Sequence, residues 1–159
     1  MKVLFVCTGN IFRSMSAEYC LKDYIKKNNL IGVEVASAGT CAIPEPMDKI
    51  TKSTLLSFEI NPSKHKQRKI NAKYFDEYDL IVAMHKNHQE FIKKHFEKEV
   101  PLFDEICYNK KVSVLNENQL MPDWQDHADT IKLYTKYTVE FIHKSIPLFV
   151  QNMGKFVYL

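Results

Sequence analysis

The amino-acid sequence predicts an α/β domain built on a four-stranded parallel sheet with helices on both faces. Two observations carry this reading. Four short strand-like segments, among them two continuous apolar runs and one that alternates, are separated by segments of helical periodicity. The first run also passes through one tight loop directly into a helix, the opening of a βαβ unit. With 159 residues, 45% of them hydrophobic, and no repeat or Pro/Gly-rich linker, residues 1–159 read as a single domain with one core.

Val3 to Val6 is continuously apolar and ends in the polar Thr8-Gly9-Asn10, the pattern of a strand buried on both faces. After Arg13, Ala17, Cys20, Leu21, Tyr24 and Ile25 recur at helical spacing, with Ser14 or Ser16 available as N-cap. Gly32 to Ser37 alternates as a second strand, and Asp79 to Met84 is a third. Segment 86–97 places His88, Phe91, Ile92, His95 and Phe96 on one face of a helix. Val100 to Phe103 reads as the fourth strand, and 127–146 as a last helix carrying Ile131, Tyr134, Thr138, Phe141 and Ile142. A site in such a sheet belongs at the carboxyl ends of the strands.

Several functions are excluded early. Only four glycines are present, and their spacing forms neither a dinucleotide fingerprint nor a Walker A loop. Cys7, Cys20, Cys41 and Cys107 contain no C-x-x-C pair, so no zinc site or thioredoxin-like couple is expected, and unpatterned thiols point to a reducing, cytoplasmic compartment. The opening apolar run is too short for a signal or a membrane span. Lys plus Arg number 22 against 19 Asp plus Glu, and a net charge of +3 does not announce a nucleic-acid partner. His85, His88 and His95 lack a carboxylate or cysteine to complete a ligand set and read as core or edge residues, so neither a metal nor another cofactor is expected.

The informative segment is Cys7-Thr8-Gly9-Asn10-Ile11-Phe12-Arg13-Ser14, which spells C-x5-R-S where the first strand hands over to the first helix. Successive backbone N–H groups there can curl around one tetrahedral oxyanion such as inorganic phosphate, with the positive end of the helix aimed at the same point. That field favours the thiolate of Cys7 and makes it a nucleophile. Arg13 adds a planar, always-charged fork suited to two oxygens of a phosphoryl group. Alone, the pattern competes with a buried strand-end cysteine and a surface arginine.

Ser37-Ala38-Gly39-Thr40 falls at the same sheet edge, and Pro122-Asp123-Trp124 precedes the last helix. With VLFVCTGNIFRS, the ASAGT segment and Asp79 to Met84, these pieces make the chain resemble the low-molecular-weight protein tyrosine phosphatases nearly end to end. The resemblance implies a metal-free phosphocysteine mechanism on phosphorylated proteins. In it Cys7 is the nucleophile, Arg13 the transition-state clamp and Asp123 the general acid. It further implies that Thr8, Gly9, Asn10, Ile11, Phe12 and Ser14 surround the phosphate. Ser14 donates to the Cys7 sulfur, Asn10 occupies a left-handed turn, and Ser37 and His65 support the loop.

The rim departs from the family pattern. Phe12 replaces a second loop cysteine, Met15 a proline, and Ile43 an aromatic wall, leaving Trp124 as the main aromatic against a substrate ring. Cys7-Thr8-Gly9-Asn10 and Met84-x3-His88 also resemble the bacterial branch containing protein-arginine phosphatases, where a threonine is common at the place of Ile11. A branched apolar Ile11 favours the phenyl ring of phosphotyrosine over a guanidinium that needs polar partners. An arsenate-reductase-type redox enzyme shares the loop but requires a relay of cysteines, for which only Cys41 is well placed.

Overall fold

A computed structural model describes residues 1–114 and 127–157. Its elements are β1 (Lys2–Cys7), α1 (Arg13–Lys27), β2 (Glu34–Gly39), α2 (Lys49–Ser57), α3 (Tyr74–Glu77), β3 (Leu80–Ala83), α4 (Lys86–Phe96), α5 (Phe103–Tyr108) and α6 (Ala128–Met153). β1 lies between β2 and β3, parallel to both, pairing Cys7 with Gly39 and Val6 with Ala83.

A central strand covered on both faces must be apolar on both, and Val3 to Cys7 are all buried. Val3, Phe5 and Cys7 enter a core with Met15 and Leu21 of α1, Leu55 of α2, Phe103 of α5 and Ile142 and Phe149 of α6. Leu4 and Val6 face the other way, onto Ile70, Ile81 and Ile92 with Phe75 and Phe96 packed alongside. Helices thus cover both faces, and their packing fixes where β1 stops and its loop begins.

Four expectations are corrected. Among the described residues the sheet has three strands, not four: Val100 to Phe103 contributes only a single bridge, Ala83 to Leu102. Pro101 accepts from Ala83 N–H at 2.9 Å but has no N–H of its own to extend the ladder. Glu105 then turns back to Leu102 N–H, and Phe103 starts α5. Neither Ser14 nor Ser16 caps α1, because the helix begins at Arg13 with Phe12 as its cap residue, and both serines are buried in its first turn. His95 is exposed and lies against the Phe91 ring rather than in the core. α6 runs on through Pro147 to Met153, since Phe149 and Met153 still bury an apolar face that outweighs the one N–H the proline lacks. No helix among the described residues is long and apolar enough to cross a membrane.

Candidate active site

The loop from Thr8 to Phe12 leaves the carboxyl end of β1, and the end of β2 is pressed against it. Thr40 N–H donates to Cys7 O and Cys41 N–H to Thr8 O, each at 2.9 Å. A Cβ on Gly39 would lie 2.4 Å from Thr8 O, so only glycine fits there. Asn10 takes a left-handed φ of 56° and is fully buried, a combination that asparagine tolerates when its side chain is satisfied. Here it is: Nδ2 donates to Ser37 Oγ at 2.7 Å and to Ser14 Oγ at 3.2 Å, while Oδ1 accepts from Arg68 N–H at 2.9 Å.

Three loop carbonyls are drawn away from the centre. Cys41 N–H holds Thr8 O, Gln67 Nε2 holds Gly9 O at 2.7 Å, and His65 Nε2 donates to Asn10 O at 2.6 Å. Because C=O and N–H of one trans peptide point in opposite directions, this turns the N–H groups of Gly9, Asn10 and Ile11 to the inner side. Asn10 N–H is found there, on Cys7 Sγ at 3.3 Å. Cys7 Sγ also meets Ser14 Oγ at 2.9 Å. The thiol is buried at the base of the loop, with the start of α1 beside it.

Arg13 is buried as well, and its Nη1 donates to Val114 O at 2.7 Å. Thr8 Oγ1 lies 3.0 Å from His88 Nε2. Burial, with the Arg13 and His85 charges adding to it, pushes His88 down to about 3, so its imidazole is neutral. His85 is spent on capping α4 through Asn87 N–H. Ile11 and Phe12 are half-buried at the loop, Phe12 packing on the core, and Ile43 is 66% exposed beside it. Asp123 and Trp124 lie outside the described residues.

The sequence reading missed two supports. Glu18, one turn after Ser14, is buried; it accepts from Ser37 Oγ, pairs with Lys22, and stands 3.9 Å from His65 Nδ1. Burial holds His65 below its ordinary value, although donation to Asn10 O works against that shift. A glutamate in the apolar stripe of α1 was the available signal. Gln67 is the other, and its signal was period-two alternation: Lys64, Lys66 and Arg68 are exposed while His65 and Gln67 turn onto the loop.

An α/β sheet carrying a cysteine and an arginine on one amide-lined loop defines a class of oxyanion-handling, thiol-based enzymes. The chain belongs to the low molecular weight phosphotyrosine protein phosphatase family, whose pattern matches residues 2–137. A yeast (Saccharomyces cerevisiae) protein of that name is 30% identical over 155 residues, covering 92% of this chain and 96% of its own. The tyrosine phosphatase Wzb of Salmonella typhi is 36% identical over 88 residues, 55% of this chain and 56% of its own. Among solved structures, the YwlE arginine phosphatase superposes with a TM-score of 0.80 at 23% identity over 98% of this chain and 97% of its own. A phosphatase from T. tengcongensis gives 0.78 at 24% identity, covering 95% and 98%. At these identities the structural matches speak to the fold.

Proposed function

We propose that the chain removes phosphate from protein phosphotyrosine through a phosphocysteine intermediate, with Cys7 to Arg13 as the phosphate loop. The observation that carries this reading is the set of outward-tied carbonyls, which leaves inward amides converging where Cys7 Sγ sits. In the first step Sγ attacks phosphorus, the S–P bond forms and the P–O bond to the phenol breaks, the phenolate taking a proton from Asp123. In the second, Asp123 accepts a proton from water, whose oxygen attacks phosphorus while the S–P bond breaks. Ser14, already on the sulfur, donates to the departing thiolate. Arg13 and the amides hold the equatorial oxygens as charge builds on them. Ser37 and His65 act through Asn10 by keeping the loop in shape, Thr8, Gly9 and Phe12 belong to its frame, and Ile11, Ile43 and Trp124 face the substrate ring.

The supporting chemistry uses only protein groups, with no cofactor in any step. All four cysteines are free, in keeping with a reducing, cytoplasmic compartment. A disulfide relay of the arsenate-reductase type, which needs several further cysteines, is disfavoured, since burial pushes the Cys20 and Cys107 thiols up, away from the reactive thiolate, and leaves exposed Cys41 as the one candidate partner. A second reading, phosphoarginine hydrolysis, is favoured by the Thr8–His88 contact in the branch-like motif. Ile11 opposes it, because an apolar side chain leaves guanidinium N–H groups unsatisfied, a preference of roughly ten- to hundredfold. Competing hydrolysis of a phosphotyrosyl and a phosphoarginyl peptide of one sequence tests this. Faster phosphotyrosine turnover, with Ile11→Thr shifting the ratio toward phosphoarginine, is expected; faster phosphoarginine turnover by wild type reverses the assignment.

A further inference from the structure

Beside the loop, sharing Ile11 with it, lies a cleft of about 250 Å³ whose other walls include Glu45, Met47, Lys52, Pro62 and Gln67. It is smaller than the roughly 300–1,000 Å³ of a small-molecule pocket and has room for one long side chain. Glu45 is its unusual member. Gln67 accepts from Glu45 N–H at 3.0 Å while donating to Ile43 O and Gly9 O, so the backbone carrying the carboxylate is tied to the loop itself. Glu45 Oε1 reaches to 3.2 Å from where a Cβ on Gly9 would stand. Among the described residues no lysine or arginine pairs with it, Lys52 on the same cleft included.

An exposed carboxylate on the rim of a loop that receives a phosphate dianion, carried by backbone tied to that loop, repels that dianion. The repulsion becomes attraction when the substrate brings its own cation to the same place, with its aliphatic stem across Ile11, Met47 and Pro62. Resting on the function proposed above, we infer that Glu45 is a specificity-determining residue that takes the ammonium or guanidinium of a basic residue flanking the phosphorylated one. Lys52, on the first turns of α2, shares the cleft but lacks a backbone tie to the loop; the surrounding Lys64, Lys66 and Arg68 would by themselves select acidic flanks.

The test is kcat/KM for phosphotyrosyl peptides carrying Lys, Ala or Glu beside the phosphotyrosine, together with a small aryl phosphate, in wild type, Glu45→Gln and Glu45→Lys. Wild type is expected to favour the Lys peptide over the Ala peptide by about two- to fivefold, a preference that fades in high salt. Glu45→Gln removes it and, in the opposite direction, lowers KM for the small aryl phosphate, a dianion with no cation of its own to offset the repulsion; Glu45→Lys turns the preference to the Glu peptide. A wild-type preference for the Glu peptide, or a Lys-to-Ala ratio unchanged in Glu45→Gln, overturns the inference while leaving the phosphatase reading intact. Absence of turnover on every phosphotyrosyl substrate overturns that reading, and the inference with it. A phosphoarginyl peptide with Ala flanks separates the remaining source of a cation: if Glu45→Gln slows it and leaves the Lys-flanked peptide untouched, the carboxylate serves the phosphorylated group and not a flank, and the assignment falls.

Discussion

Cys7 Sγ shares one hydrogen bond with Ser14 Oγ and accepts another from Asn10 N–H, which holds the sulfur at the base of the loop beside Arg13. Arg13→Lys keeps the charge but loses the planar fork, and kcat should fall by about 10²–10³; a near-normal value would make Arg13 a bystander. Asp123→Asn should slow aryl phosphates with basic phenol leaving groups by roughly 10²–10⁴ and those with acidic phenols far less. Equal losses across that series would point to a structural aspartate. His88 yields a stability prediction with a definite sign. Its folded value, about 3, lies below the ordinary 6.5, so the unfolded chain binds the extra proton between those values and stability is lost as pH falls through that window. Asp104, raised to about 6 by burial from 3.8, pulls the other way between those two values. Urea denaturation at pH 7 and pH 5 should therefore show His88→Asn losing less stability than wild type, by about 2 kcal/mol. The same loss in both proteins would mean His88 does not carry the titration.

At the scale of elements, the loop is shaped by what presses on it from β2 and from 65–68. Gly39→Ala drives a Cβ into Thr8 O and should cost about 1–3 kcal/mol of stability and also lower kcat/KM at temperatures where the variant is still fully folded, because the displaced atoms belong to the loop. Thermal unfolding and kinetics on the same preparation check this, and unchanged kinetics would uncouple the strand end from the site. Most of this geometry was legible: an apolar run, a turn and a helical stripe locate β1, the loop and α1 without any tertiary knowledge. The failures have physical causes. Val100 to Phe103 has strand composition, but Pro101 cannot donate, so tertiary hydrogen bonding stops at one bridge. Ser14 and Ser16 look like caps, yet Ser14 is drawn inward by Cys7 and Asn10. Glu18 and Gln67 left only a local trace, a carboxylate in an apolar stripe and a period-two alternation, because the loop partners that give them a role, Ser37 and Gly9, are 19 and 58 residues away in sequence.

Across the whole molecule, the two-faced burial of β1 converts a sequence pattern into a position. One core beneath α1 and α6 and another beneath α4 clamp the central strand, and the loop is placed where that clamp ends. The proposed phosphate chemistry then requires no other part of the sheet than the carboxyl half of its strands, to which Ser37 and Gly39 also belong. The central claim is that Cys7 forms a covalent bond to the transferred phosphate. Rapid acid quench during turnover of an aryl phosphate, followed by mass spectrometry of the peptides, measures it most directly. The account predicts a phosphate adduct on Cys7 in wild type that forms and decays during turnover, and at least a tenfold loss of turnover in Cys7→Ser that still binds inorganic phosphate. Full turnover by Cys7→Ser, or an adduct on another residue, would contradict it.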